Sequence, residues 1–191
     1  MAWTAPMTAV DLDPFTAGEF NTHIRDNLLE TMPARAGMEG DYFATLGTNS
    51  IDTRRVQESS FLVGEGLTTS TSYTDLTDNI GPSVTLDVGT TALVIIGAQQ
   101  GPFDTGTPNL ARSVLMSFEV VGPSFSPALD IWAFGETHYT SVSARTIGSR
   151  AHFLTNLTPG SYTFTCKYKV GSGTGSITGT WSERRIIVMP F

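Results

Sequence analysis

From Ser59 to the last residue the chain breaks into short apolar-rich runs separated by turn chemistry, and this punctuation constrains the fold more than any other feature. SSFLVG, PSVTLDV, TALVIIGAQ, RSVLMSFEVV, ALDIWAF, YTSVSARTI, AHFLTNL, SYTFTCKYKV, GSITGTW and RRIIVMPF each have the length and the β-branched or aromatic content of a strand. Between them stand GPFDTGTPN, VGPSFSP, LTPG and VGSGTG, whose Gly, Pro and Asn supply the backbone angles that turns need. No helical period of useful length interrupts the series, which argues against alternating α/β units. Ten such runs in about 130 residues is the count of a sandwich or barrel.

In SYTFTCKYKV the alternation is strict. Tyr162, Phe164, Cys166, Tyr168 and Val170 fall on one face, and Thr163, Thr165, Lys167 and Lys169 on the other. One face is expected to be packed and one wet. RRIIVMPF lacks that alternation and has almost no polar content. Pro190 belongs at a strand end or edge, and an apolar strand left in water is an aggregation hazard that burial at a subunit interface would remove. Composition agrees with a β reading: charged residues are 15%, well below the roughly 25% of ordinary domains. Thr, Ser and Gly replace them, residues that suit pleated strands and tight turns.

Ahead of the β region, FTAGEFNTHIRDNLLETMP predicts one helix. Thr16 followed three residues later by Glu19 is a capping box, and Phe15 with Phe20 occupy the staple positions around it. Pro33 cannot continue a helix, so the end is expected near Glu30 or Thr31. Phe20, Ile24 and Leu28 form a narrow apolar stripe at spacing four, with Leu29 beside it. A helix of about fifteen residues is marginal alone in water, so the stripe needs a surface to dock on. Trp3, Pro6, Val10 and Leu12 precede it in a segment too short for a core of its own. Residues 34–58 show no sustained period and read as a connector, so the expected organisation is an arm and helix over 1–33, a connector over 34–58 and a β domain over 59–191.

Several function classes are disfavoured. The net charge is -7 and the 11 basic residues are scattered apart from Arg54/Arg55 and Arg184/Arg185, so no stripe exists to neutralise phosphates and no nucleic-acid partner is expected. The opening residues lack the basic start and apolar run of a signal peptide, and nothing approaches a membrane span, so synthesis in the cytoplasm without membrane insertion is expected. Cys166 is the sole cysteine and reads as a small buried residue. Glu136 and His138 share a strand face in GETHYT, but two ligands are not a metal site, and a surface loop near a strand start is the plainer reading. No Gly-x-Ser-x-Gly elbow appears, and GSGTG joins β run to β run and not strand to helix, which makes it a hairpin and not a phosphate cradle. Asn156 begins an NLT sequon of little weight without a secretory signal. Asp130, Glu136 and Glu119 are available as carboxylates for glycoside hydrolysis, yet they stand in ordinary strand and turn contexts. The expectation is a protein that is not an enzyme and holds no cofactor or metal.

With those residues read, a resemblance becomes visible. MAWTAPMTAV with FNTHIRDNLLET resembles the start of structural proteins of tailed phages of actinobacteria, whose pattern W-T-x-P, F-N or L-N, then R-D-N-L is carried here by Trp3, Thr4, Pro6, Phe20, Asn21, Arg25, Asp26, Asn27 and Leu28. LTPGSYTFTCKYKV and ERRIIVMPF are similar to the closing strands of the β domains in those proteins. The two matches cover roughly the first thirty and last forty residues. The resemblance implies a mostly β chain with a jelly-roll-like sandwich behind a short N-terminal arm and α-helix. It implies a virion structural protein on the particle surface, either a capsid-decoration or head-fibre component or a minor tail or baseplate protein. Under the first implication the arm and helix contact the major capsid protein or a sister subunit through Trp3, Pro6, Val10, Leu12, Phe15, Phe20, Ile24, Arg25, Asp26 and Leu28. By analogy of fold, the oligomer is a homotrimer. Under the second, the partners are tail proteins and a host surface glycan, and the loop aromatics Phe103, Phe125 and Tyr139 serve as stacking platforms.

Overall fold

The structure, a computed structural model, describes residues 16–29, 36–47, 50–77, 80–103, 112–138, 145–171 and 177–191. The chain divides into two compact units, Met1–Val56 with Phe191, and Gln57–Pro190.

In the first unit a helical segment, α1, covers residues 17–29. It is α-helical over Ala17–Phe20, widens to a π turn over Asn21–Arg25 and returns to α over Asp26–Leu29. The capping box is formed: Thr16 Oγ1 accepts from the Glu19 amide at 3.2 Å, and Glu19 Oε2 accepts from the Thr16 amide at 2.8 Å. The Thr16 hydroxyl also donates to Oε2 at 2.7 Å, and the Thr16 amide and hydroxyl together hold the Glu19 carboxyl below its ordinary pKa. The π turn was not foreseen. Asn21, Thr22 and His23 are weak helix formers, which lowers the cost of a widened turn at that point.

The expected connector contains a hairpin, β1 (Asp41–Gly47) paired antiparallel with β2 (Ser50–Arg55). Asp41 organises its base. Its Oδ2 accepts from the amides of Gly37 and Met38 at 2.8 and 2.9 Å, and its Oδ1 accepts from Arg55 Nε at 2.9 Å. The backbone donors, Met38 foremost, keep Asp41 ionised below the usual carboxylate range. Neither DYFATLG nor SIDTRR alternates over a sustained run, which is why residues 34–58, with their three glycines, read as a connector.

The second unit is a pair of antiparallel sheets. One has four strands in the order β5 (Ser83–Val88), β10 (Gly160–Val170), β7 (Arg112–Val121), β8 (Phe134–His138). The other runs β3 (Gln57–Phe61), β11 (Thr178–Pro190), β6 (Ala92–Phe103), β9 (Thr146–Leu154), with the short β4 (Gly66–Thr68) also pairing β11. From β5 onward the chain crosses between the sheets at every connection except β7 to β8. This winding places distant runs side by side, so the core is made from all of them. Val94 and Ile96 of β6, Met116 and Phe118 of β7, Tyr162, Phe164 and Cys166 of β10, and Trp181, Ile186 and Val188 of β11 are all fully buried. Cys166 is the inert core residue its position suggested, and burial pushes its thiol pKa far up.

Three strand boundaries differ from the sequence reading. ALDIWAF is not a strand: Asp130–Trp132 forms a 3-10 turn, and β8 begins only at Phe134. The turn carries Trp132 into the core, where it stacks on Phe118 at 4.9 Å and 12°. GSITGTW and RRIIVMPF join as the single strand β11, whose pairing with β6 shifts register between Ser182 and Arg185. Glu183 sits there at φ 49°, a bulge that absorbs the polar residues between the two apolar runs. Likewise β9 spans the expected break between YTSVSARTI and AHFLTNL.

Candidate assembly surface

Sheets of antiparallel strands usually keep one face dry and one wet. The four-stranded sheet obeys this. Its outward face carries a ladder of hydroxyl pairs, Ser83–Thr165 at 2.9 Å, Thr85–Thr163 at 2.8 Å and Ser113–Thr137 at 2.8 Å, along with Lys167 and Lys169.

The five-stranded sheet departs from the rule. On β6 the side chains of Ala92, Val94, Ile96, Ala98 and Gln100 are buried, so Leu93, Ile95, Gly97 and Gln99 point outward. Register then sets the rows. Met189, Leu93 and Phe153 lie side by side across β11, β6 and β9, and Ile187, Ile95 and Ala151 form the next row. Across these three strands two successive outward rows are therefore apolar, and Glu58 of β3 stands beside Ile187 at the end of the second. Beyond them come Arg185, Gly97 and Ser149, then Ser182, Gln99 and Ile147. Phe153 is 53% exposed and Ile147 71%. Gly97, without a side chain, leaves a shallow groove of about 360 Å³ between Ile95, Ile187, Ile147 and Leu62. The charges beside it are Glu183, Arg185 and Glu58, and Arg185 Nε pairs with Glu58 Oε1 at 3.1 Å.

The residues singled out from sequence fall elsewhere. Phe20, Ile24 and Leu28 lie on α1, where Ile24 is 40% exposed, and no residue of Ala17–Arg25 is buried. Arg25 and Asp26 pair with each other at 2.8 Å. Trp3, Pro6, Val10, Leu12 and Phe15 lie outside the described residues, as does Tyr139. Phe103 ends β6 and does not sit in a loop, whereas Phe125 is a well-exposed loop residue. His138 closes β8 and does not stand near a strand start. Among the described residues no group of three His, Cys, Asp or Glu could hold a metal ion. Of the three carboxylates, Glu136 lies on β8 opposite Val114, while Glu119 and Asp130 each approach a lysine. Sequence reasoning singled out RRIIVMPF but missed Leu93, Ile95, Ile147 and Phe153. The unbroken ALVII run was the available signal, since a strand buried on one face only would alternate.

Two facing sheets ordered β3-β11-β6-β9 and β5-β10-β7-β8, with the chain winding between them, define a jelly-roll-like β-sandwich. No protein-family model and no curated protein matches the chain. Among solved structures it is similar to the Eiger TNF of S. frugiperda, with a TM-score of 0.45 and 9% identity over 72% of this chain and 94% of that one. It is also similar to the infectious bursal disease virus VP2 subviral particle, with a TM-score of 0.41 and 9% identity over 77% of this chain and 37% of the other. The infectious bursal disease virus Gx strain gives a TM-score of 0.37 at 10% identity, over 77% and 36% of the two chains. This chain thus spans little more than a third of either viral protein, and the strand order, not these likenesses, defines the class.

Proposed function

We propose that this protein is a non-enzymatic structural component of a bacteriophage particle, a homotrimeric capsid-decoration or head-fibre protein whose N-terminal arm and helix attach it to the shell. The observation that carries the assembly part is the pair of apolar rows on the outward face of the five-stranded sheet. The phage part is supported by the residue pattern from Trp3 to Leu28.

The occupant of that face is a second copy of this chain. With strands about 4.8 Å apart and about 3.4 Å of rise per residue, four strands over the length of Leu93 to Gln99 present roughly 450 Å². A stable interface needs about 800 Å² from each partner, so the face supplies about half. A ring in which every subunit offers two different surfaces meets that need, and a closed trimer is such a ring. The Glu58–Arg185 pair leaves little net charge beside the face, so a like-charged copy meets small repulsion there.

Sedimentation of the full chain at micromolar concentration tests this. The wild type is expected at three times the 20.5 kDa subunit mass. Ile187→Glu, which introduces a charge into the second apolar row, is expected to shift it to the subunit mass with the β circular-dichroism spectrum retained. A wild type that sediments as a monomer would rule the reading out.

A further inference from the structure

The other sheet carries a different kind of site. Residues 70–76 run as a strap along β10 beyond the point where β5 stops. Thr74 and Tyr168 exchange backbone bonds at 3.0 and 2.9 Å, and the Val170 amide donates to the Ser70 carbonyl at 2.8 Å. Opposite the strap, the turn from Pro127 to Asp130 rests on β7 through the Ser117 hydroxyl, which donates to the Leu129 carbonyl at 2.8 Å. Between strap and turn lies a cleft of about 520 Å³, within the range of small-ligand sites.

Its polar groups are already fixed in place. Lys167 Nζ contacts both carboxylate oxygens of Asp75 at 3.0 Å and Glu119 Oε1 at 3.6 Å. Lys169 Nζ reaches Asp130 Oδ1 at 2.6 Å and stands 4.6 Å from the centre of the Tyr73 ring. The Tyr73 hydroxyl donates to the same Asp130 oxygen at 2.8 Å. The strap is held by its backbone, so this side-chain network is not needed to anchor it. Both bonds to Asp130 land on Oδ1, and Asp75 and Glu119 are the carboxylates that line the cleft.

The charge pattern selects the ligand. Each ammonium has a carboxylate, so a polyanion finds no unpaired cation. No trio of metal-ligating side chains exists among the described residues. The Lys169 and Tyr73 bonds keep Asp130 ionised below the usual carboxylate pKa, which deprives it of the proton a glycosidase acid donates. What suits paired donors and acceptors beside one aromatic ring is a neutral molecule with adjacent hydroxyls and an apolar C–H face. We propose that the cleft lined by Tyr73, Asp75, Glu119, Lys167 and Lys169, with Asp130 holding Tyr73 and Lys169 in place, is a binding site for a neutral carbohydrate. It uses the sheet opposite the apolar rows and does not depend on the assembly reading.

Calorimetric titration and saturation-transfer NMR of the full chain with maltohexaose, mannohexaose, galactohexaose and arabinohexaose test it, with inorganic sulfate as an anionic control. At least one sugar is expected to bind. Asp75→Ala and Lys169→Met are each expected to weaken it about tenfold or more, as loss of a charged hydrogen bond does. Melting temperature and oligomer mass are expected to hold, and Phe125→Ala is expected to leave binding intact. Failure of all four sugars to bind, binding that survives both variants, or saturable sulfate binding in their place would each overturn the assignment.

Discussion

A guanidinium removed from water loses several kcal/mol unless partners replace its hydration. Arg184 is fully buried, and its Nε, Nη1 and Nη2 have no hydrogen-bond partner among the described residues. Its compensation is the Phe61 ring, 5.2 Å from Cζ, and a desolvated cation–π contact is worth about 2 kcal/mol. The balance is unfavourable, so Arg184→Met, which keeps the stem volume and drops the charge, is expected to stabilise the fold by about 1–4 kcal/mol. At roughly 2–4 °C per kcal/mol for a chain of this size, calorimetry would show the rise directly. A lower melting temperature would mean that Arg184 is satisfied in solution. The position illustrates what a strand pattern hides. Read alone, ERRIIVMPF places one arginine of the pair inward and one outward, but which one is buried depends on the Glu183 bulge. Cys166 and its neighbours on β10 were legible because no bulge interrupts them.

Adjacent residues on one strand can serve two different interfaces, and β6 is the clearest case. Ile96 faces the core, fully buried and opposite Ile186, while Ile95 faces outward between Ile187 and Ala151. Ile96→Ala is expected to lower the unfolding free energy of the subunit by about 2–5 kcal/mol, the cost of lost burial plus a cavity. Ile95→Ala is expected to change little in urea titrations at dilutions where the subunit stands alone, and to weaken association at higher concentration. Equal losses from both at low concentration would show that Ile95 belongs to the subunit's own core. At this scale the sequence was legible where a strand alternates or is bounded by Gly and Pro. The β1–β2 hairpin was missed because its order comes from Asp41 reaching back to the Gly37 and Met38 amides, a local hydrogen-bond pattern without a hydrophobic period. The cleft on β10 was missed for a different reason. The strap with Tyr73 and Asp75, Glu119 of β7 and Lys169 of β10 are far apart along the chain, and only the winding between sheets gathers them.

The core of the sandwich is drawn entirely from residues between Leu76 and Val188, and every member lies in the Gln57–Pro190 unit. No residue of Ala17–Arg25 is buried. The core of the sandwich and the segment proposed to attach it thus belong to different units of the chain, and they should be separable by deletion. Removing residues 1–33 is expected to leave the cooperative melting of the β domain within a few degrees of the full chain, because every member of the core cluster remains. The same deletion is expected to abolish attachment to particles, since a lattice of many copies amplifies a weak contact and removing that contact removes the gain from all of them. Pelleting of particles incubated with full-length and truncated protein reads attachment, and the bound copy number reads location. Hundreds of copies per particle fit a head component, and a handful fit a tail. If the truncated chain still pellets in full amount, the contact lies on the sandwich, and the apolar rows of β11, β6 and β9 become the surface that meets the shell.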